Sequence, residues 1–288
     1  MIHKLPLFSI FAAGKSFALN HVKMIFREIA KVVENYLIAD NTYLANLSAP
    51  KIASSIKPGQ FINILPSADW EKVMRRPMSA AGASNNCISI IYKAVGEGTK
   101  IMSGWAEGDV IDIIGPLGNS WEGFEKTPVL IGGGVGIAPI YFLHNELANR
   151  GVDHFLIMGA RNSAEHFLTH SPADKILLTT DNGTLGIPGD VINGLNEIKK
   201  AVDIKDCKLF VCGPAPMMEA LRLLAVEENI DCDIALETLM ACGFGICQGC
   251  TMEYASASNQ RNTYRQKFGL VCIDGPIFKA KDIKTCYL

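Results

Sequence analysis

The chain has 288 residues, of which 49% are hydrophobic and 19% are charged, and its formal net charge is −2 at neutral pH. This length predicts two or three domains, and the apolar content is sufficient for folded cores, which excludes a largely disordered protein. The near-neutral charge excludes a broad basic surface for nucleic acid or an anionic membrane.

Residues 1–23 differ in character from the rest of the chain. Lys4 and the apolar stretch after it loosely resemble a signal peptide, but Gly14 and Lys15 interrupt that stretch. It is also too short to span a bilayer. We expect Met24 to be the real or ancestral start, with a working signal as the alternative. The segment is therefore treated as an N-terminal extension outside the fold prediction.

Residues 24–124 are predicted to form an antiparallel β-barrel. Residues 27–38 mix polar and apolar side chains as a pair of strands does, and residues 61–65, 88–93 and 108–114 have strong β character. Turns rich in proline and glycine separate these stretches. Several short strands at this spacing are typical of a small barrel.

Two motifs in the predicted barrel are candidates for binding phosphate. Residues 76–79, Arg-Pro-Met-Ser, offer a guanidinium group and a hydroxyl at a strand edge. Gly98 lets backbone amides approach a pyrophosphate, and Thr99 is expected to cap the helix that follows. For each motif alone, an ordinary arginine or an ordinary Gly-rich hairpin remains an equal alternative.

Residues 125–234 alternate between strands and helices. Strands are predicted at 127–131, 153–159, 175–181 and 208–211, and helical patterns follow at 140–148 and 217–228. This alternation predicts a doubly wound parallel sheet, whose ligand crevice lies at the carboxyl ends of the strands.

Two short turns at those strand ends are candidates for binding a dinucleotide. A strand that enters a glycine turn and then a helix N-terminus is a phosphate-binding element, although this run departs from the standard GxGxxG pattern. Cys212 is expected to form a wall of the nicotinamide site and not to act as a nucleophile, since no His or Lys neighbours it in sequence to lower the pKa of its thiol. A buried structural cysteine is the alternative. The candidate residues are Gly132, Gly134, Gly136, Cys212, Gly213 and Pro214.

The most specific motif lies in residues 235–288. Cys242, Cys247 and Cys250 follow a C-x4-C-x2-C pattern, and Cys272 lies further along the chain. Four thiolates at this spacing suit a plant-type [2Fe–2S] cluster, and the interleaved glycines allow backbone N–H groups to approach the sulfurs. A structural zinc site is the alternative. The remaining cysteines form no disulfide framework, which indicates a reducing cytoplasm.

Together these motifs resemble the ferredoxin–NADP reductase superfamily. The cluster motif, followed by Cys-Ile-Asp-Gly-Pro-Ile-Phe at 272–278, is similar to the electron-transfer subunits of class 1B dihydroorotate dehydrogenases, and the resemblance spans residues 24–278. It implies a multidomain fold. An antiparallel β-barrel FAD domain covers 24–124, an α/β doubly wound NAD domain covers 125–234, and a small C-terminal [2Fe–2S] domain covers 235–288.

The resemblance also implies which residues hold each cofactor, and it requires no catalytic acid–base pair. FAD is assigned to Arg76, Pro77, Met78, Ser79, Ile91, Tyr92, Lys93, Gly98 and Thr99. NAD(H) is assigned to Gly132, Gly134, Gly136, Cys212, Gly213 and Pro214. The cluster is assigned to Cys242, Cys247, Cys250 and Cys272.

The implied function is electron transfer in de novo pyrimidine (UMP) biosynthesis. Electrons pass between NAD(H), FAD and the cluster, to or from the FMN of a separate dihydroorotate dehydrogenase catalytic subunit in a heterotetramer. A cytoplasmic protein without nucleic-acid or membrane partners is expected. The alternatives are a subunit of another NAD(P)H-dependent oxidoreductase of the ferredoxin or sulfur-compound reductase type, a self-contained diaphorase, and a zinc-stabilised non-catalytic binding protein.

Overall fold

The computed structural model describes residues 24–69, 71, 74–255 and 263–288. The prediction of an N-terminal extension lies outside these residues. The longest helices of the described part have 13 residues, and no helix there has the length and apolar character needed to cross a membrane.

The first unit is a closed six-stranded antiparallel barrel, which confirms the predicted architecture. Its strands neighbour one another in the order β1-β2-β5-β4-β3-β6. The strands are β1 (Phe26–Ala39), β2 (Thr42–Ser48), β3 (Phe61–Ile64), β4 (Arg76–Ser84), β5 (Cys87–Lys93) and β6 (Val110–Leu117). Two short helices, α1 (Pro50–Ala53) and α2 (Glu97–Ser103), connect them.

The prediction of a strand pair at 27–38 is wrong, because these residues form the single strand β1. Its ladder with β2 shifts register between Val32 and Glu34 and again between Leu37 and Ala39. Each irregularity breaks the alternation of inward and outward side chains, so one bent strand imitates two. The true partner, β2, was not predicted.

The second unit is a doubly wound parallel sheet, also as predicted. Six strands lie in the order β10-β9-β8-β7-β11-β12, with α3 on one face and α4 and α5 on the other. Leu130 and Phe210 pack toward α3, whereas Val129 and Leu209 pack toward α4 and α5. The strands are β7 (Thr127–Gly133), β8 (Phe155–Ala160), β9 (Ile176–Thr180), β10 (Ile187–Pro188), β11 (Cys207–Cys212) and β12 (Asp231–Ala235). The helices are α3 (Ile137–Asn149), α4 (Val191–Lys199) and α5 (Ala215–Glu227).

The C-terminal unit contains β13 (Thr251–Glu253), α6 (Tyr264–Lys267), β14 (Phe268–Leu270) and β15 (Ile277–Lys279). Strands β13 and β14 pair with each other, whereas β15 joins the large sheet antiparallel to β12. The cysteine-bearing segment is therefore continuous with the nucleotide-type sheet. The division of the chain at residue 235 stays a prediction, and this ladder crosses it.

Asn119 fastens the C-terminal unit to the end of the barrel. Its side-chain amide donates to the carbonyl of Ile277 at 2.9 Å and accepts from the backbone N–H of the same residue at 3.0 Å. The backbone N–H of Asn119 donates to the carbonyl of Gly275 at 2.6 Å. One side chain thus holds the segment that follows Cys272 against the barrel.

Candidate functional site

A cavity of about 230 Å³ lies where the three units meet. The barrel contributes residues from all three of its predicted flavin segments, the nucleotide-type sheet contributes both of its predicted turns, and the C-terminal unit contributes residues beside the cysteines. The lining residues include Phe61, Pro77, Met78, Ser79, Ile91, Tyr92, Lys93, Thr99, Gly136, Cys212, Glu237, Met240 and Pro276. Segments distant in sequence therefore share one concave site, the usual form of a cofactor pocket.

The two neighbouring arginines of the 75–79 segment have different roles. Arg75 forms an ion pair with Asp112 at 3.0 Å and donates to its carbonyl, so its guanidinium is committed to the barrel. Arg76 lies against Gly98, where an added Cβ would be 3.0 Å from its Nε. The structure thus brings together Arg76 and Gly98, although neither is in direct contact with the cavity.

Thr99 does not occupy the N-cap position expected for it. Helix α2 begins after Gly96, and Thr99 is the third residue of its first turn. From there its hydroxyl accepts the backbone N–H of Gly96 at 3.0 Å, and it also lines the cavity. The sequence misplaced the cap because glycine, which has no side chain, can start a helix when a threonine at this later position supplies the acceptor.

Strand β5 presents Ile91, Tyr92 and Lys93 at the cavity, but their side chains differ in what they offer. The hydroxyl of Tyr92 donates to Asn35 at 2.8 Å, and burial raises the pKa of this phenol. Its ring stacks on Tyr43 inside the barrel, so its polar atom is already used. Lys93 instead reaches across to Glu165 of the second unit at 3.1 Å.

Glu165 connects the flavin side of the cavity to the nucleotide side. Its buried carboxylate accepts from Lys93 of the barrel and from the guanidinium of Arg161 at the end of β8. The hydrogen bond from Arg161 outweighs burial and, together with Lys93, holds the pKa of Glu165 at about 2. No local pattern marked this residue, because its two cationic partners come from different units.

The two predicted nucleotide turns are in direct contact. An added Cβ at Gly136 would lie 2.5 Å from the Cα and backbone nitrogen of Gly213, so only glycine permits this approach. Gly134 precedes it in a 3₁₀ turn, and Pro214 caps helix α5. Gly132 ends the hydrogen-bonded register of β7 with β11, opposite Cys212. The carboxyl ends of β7 and β11 thus form one backbone-lined edge.

Cys212 and Glu237 both line this part of the cavity. Burial, reinforced by the nearby charge of Glu237, raises the pKa of the Cys212 thiol to about 12. A thiol that stays protonated at neutral pH is a poor nucleophile, which supports the interpretation of Cys212 as a wall. Burial also raises the pKa of Glu237. Sequence analysis missed this carboxyl, since one glutamate after a short strand carries no recognisable signal.

The four predicted cluster cysteines lie in one loop system at the C-terminal unit. Cys250 and Cys272 are buried with their sulfurs 3.1 Å apart, Cys242 is half-buried, and Cys247 is exposed. Within the described residues, no three His, Cys, Asp or Glu side chains are grouped to hold a single metal ion. A [2Fe–2S] cluster distributes its four thiolates over two irons, and the Cys250–Cys272 pair suits one of them.

The backbone of the loop is arranged to stabilise thiolates. Burial disfavours the Cys242 thiolate, but N–H groups of Cys247, Phe244 and Ile246 outweigh it and lower the pKa of Cys242 to about 7. The hydrogen bond between the sulfurs of Cys250 and Cys272 lowers the pKa of Cys250 and raises that of Cys272. Gly243 and Gly245 have φ values of +81° and +85°, which the reversal of the loop requires. This donor set fits an iron–sulfur cluster.

Both ends of the cysteine segment reach the central cavity. Met240, two residues before Cys242, and Pro276, four residues after Cys272, line it beside the barrel residues. Each lies within a few residues of a thiol, so the predicted cluster loop is directly adjacent to the predicted flavin site. This adjacency is the feature that an electron-transfer chain requires.

A flavin-type barrel, a nucleotide-type sheet and a cysteine loop around one cavity define a flavin reductase with an iron–sulfur module. The sequence model described as the iron-sulfur cluster binding domain of dihydroorotate dehydrogenase B matches residues 237–284. The chain belongs to the family of dihydroorotate dehydrogenase B electron transfer subunits, since curated members share about a third of its residues over most of its length.

Two relatives and two solved structures illustrate the similarity. The "Dihydroorotate dehydrogenase B (NAD(+)), electron transfer subunit" of Fusobacterium nucleatum is 34% identical over 265 residues, covering 89% of this chain and 98% of the relative. Its counterpart in Geobacillus thermodenitrificans is 32% identical over 270 residues, covering 90% and 99%. The NADH-dependent reduced ferredoxin-NADP oxidoreductase superposes with a TM-score of 0.77 at 25% identity, covering 90% of both chains. The Amycolatopsis cytochrome P450 reductase shares the fold, with a TM-score of 0.59 at 22% identity over 72% of this chain and 67% of its own.

Proposed function

We propose that this chain is the electron-transfer subunit of an NAD-linked dihydroorotate dehydrogenase. It passes electrons between NAD(H), FAD and a [2Fe–2S] cluster, to or from the FMN of a partner catalytic subunit that interconverts dihydroorotate and orotate for UMP synthesis. The observation that carries the proposal is the meeting of the three predicted cofactor segments at one cavity. The five cysteines outside the cluster loop form no disulfide, which supports a reducing, cytoplasmic location.

Each of the three units would hold a different cofactor. FAD, when bound, supplies the conversion between hydride transfer and single-electron transfer. Arg76, Gly98 and Ser79 would hold its phosphate-bearing part, and the backbone edge at Gly136 and Gly213 would position NAD(H) against it. Cys212 would pack at the nicotinamide as a neutral wall, and the cysteine loop would hold the cluster on the far side. The protein's part is positioning and exclusion of water.

The surface around the cysteines supports docking of a second subunit. Leu239 and Ile246 are 80% and 77% exposed, and Phe244 and Ile273 are also exposed beside the thiols. Large apolar side chains that are exposed to solvent are typical of surfaces that contact another protein. A partner bound there would come close to the cluster. We propose that the partner is the FMN-containing catalytic subunit, in a heterotetramer.

The test is an anaerobic visible spectrum of the chain, alone and co-purified with a candidate catalytic subunit, before and after NADH. We expect flavin bleaching and loss of cluster absorbance in both samples, and orotate reduction only in the complex. The C250S variant should lose the cluster absorbance and the orotate reduction while keeping FAD. C87S, which alters a barrel cysteine outside the loop, is the matched control and should retain all three.

The outcomes separate the alternatives. Bleaching without orotate chemistry in the complex would contradict the pyrimidine assignment and favour another NAD(P)H-dependent oxidoreductase, for which the TM-score of 0.77 to the NADH-dependent ferredoxin-NADP oxidoreductase is the supporting observation. A colourless protein with one bound zinc would overturn the proposal entirely.

A further inference from the structure

Asn63 of the barrel is a buried polar residue that the cofactor assignments do not use. It lies in β3, has no exposed surface, and is paired with Pro77 of the predicted flavin segment in the neighbouring strand. Asparagine is unusual in a barrel interior, because an amide without partners is costly to bury. Its presence therefore calls for a specific contact.

That contact is with the cysteine loop. Nδ2 of Asn63 donates to the backbone carbonyl of Cys242 at 3.0 Å, a bond between residues 179 positions apart in sequence. The loop fits closely around the amide, since an added Cβ at Gly243 would overlap with Nδ2 and lie 3.0 Å from Leu117. The other half of the amide, Oδ1, has no hydrogen-bond partner among the described residues.

The orientation of this amide follows from its neighbour. A carbonyl oxygen can accept a hydrogen bond but cannot donate one. The NH₂ group of Asn63 must therefore face the carbonyl of Cys242, and Oδ1 must face away. The side chain thus directs the positive end of its dipole at the first cysteine of the loop. It is held there by a strand whose first residue, Phe61, lines the flavin cavity.

We infer that Asn63 is a positioning residue for the cluster loop. Its side chain fixes the Cys242 carbonyl and favours the reduced, more negative state of the cluster. The inference rests on the proposed cluster site. It predicts that Asn63 affects the reduction potential of the cluster without affecting FAD. A residue that served only the folding of the barrel would affect both cofactors together.

The experiment compares the wild type with N63L, N63H and N46A as full-length holoproteins prepared anaerobically. N63L keeps a similar volume without a donor, and N63H restores an N–H group. N46A is the matched control: Asn46 is also hydrogen-bonded to side chains, in β2 on the opposite side of the barrel. Iron, sulfide and FAD contents, the EPR spectrum of the reduced cluster and its midpoint potential are measured.

With wild-type FAD content, we expect a lower potential and altered g values in N63L, and a return toward the wild type in N63H. N46A should match the wild type. Loss of iron from N63L with FAD retained would also support the inference. An N63L potential and spectrum equal to those of the wild type would overturn it. A wild type without iron would instead contradict the proposed cluster site.

If N63L loses both cofactors, a measurement on the wild type tests whether β3 and the cluster loop are coupled. Hydrogen exchange is followed by mass spectrometry with the cluster in place and after its removal by chelation. Residues 61–64 of β3 should lose protection together with residues 242–247, while β2 should not change. Loosening of the loop with full protection of β3 would refute the coupling.

Discussion

Removal of Lys208 should destabilise the protein far more than an ordinary ion pair would suggest. Lys208 and Asp233, on the adjacent strands β11 and β12, form an ion pair at 2.8 Å in which both side chains are only 9% exposed. Lys208 also donates to the carbonyl of Glu122 at 2.7 Å and lies 4.9 Å from the ring centroid of Phe210. Lys208 therefore joins Glu122, in the segment that follows the barrel, to β12, the strand with which β15 pairs.

The magnitude follows from the charge that would be left behind. In K208M, Asp233 would be buried without its cation, and one of its oxygens already has no hydrogen-bond partner. Leaving one member of a buried pair uncompensated costs about 3–5 kcal/mol. For a chain of this length that corresponds to a fall in Tm of roughly 6–20 °C. The double variant K208M/D233N removes both charges and should lie within about 1 kcal/mol of the wild type.

The pH dependence has a definite sign. Burial raises the pKa of Asp233 even with Lys208 present, so folding favours its protonated form. A carboxyl with a raised pKa contributes most to stability below its unfolded pKa and loses that contribution as the pH rises. Without Lys208 the pKa rises further. The deficit of K208M should therefore be larger at pH 8 than at pH 5.5.

The assay is thermal unfolding of the holoprotein, followed by FAD fluorescence at fixed protein concentration and at both pH values. A K208M Tm within about 2 °C of the wild type would refute the reasoning. If the losses of K208M and D233N added up in the double variant, the reasoning would also be refuted, because the unpaired charge would not be the cause.

Further substitutions test the cavity and the contacts between the units. G136A forces a Cβ against the backbone of Gly213 and should raise the KM for NADH by roughly 10-fold or more with FAD content unchanged, measured by stopped-flow bleaching; equal KM values would contradict the close approach. E165Q weakens the contact to Lys93 and should lower stability by about 1–2 kcal/mol at pH 7, with K93M non-additive in a double-mutant cycle. N119A leaves the backbone N–H of Ile277 without its acceptor and should lower the Tm by a few degrees, from about 1–2 kcal/mol, with cluster loss on heating before FAD loss.

Elements with a strong local pattern were predictable from the sequence. The parallel strand at 127–131, its glycine turn and the helix after it appear as β7 and α3, because a buried strand and a helix N-terminus each impose their own composition. The four cysteines were equally visible, since a cluster fixes both ligand type and spacing. Local chemistry was sufficient in these cases.

Elements defined by their neighbours were not predictable. Strand β12 carries Asp233 at a buried position, which argues against a strand until Lys208 on β11 supplies the counter-charge. Strand β15 has three residues and exists because β12 offers an edge. Thr99 was predicted to be the N-cap of α2, but the N-cap is Gly96. A glycine has no side chain that would mark this position in the sequence.

Several contacts that join the three units are polar, in addition to the apolar packing between them, and this bears on function. Asn63 holds the Cys242 carbonyl, Asn119 holds Ile277, and Lys93 meets Glu165. An apolar interface tolerates sliding, whereas a buried hydrogen bond or ion pair is lost on a displacement of about 1 Å. Polar contacts at each junction therefore fix the relative position of the sites. Electron transfer between cofactors in different units depends on that position, so we expect the junctions, more than any single pocket, to set the rate.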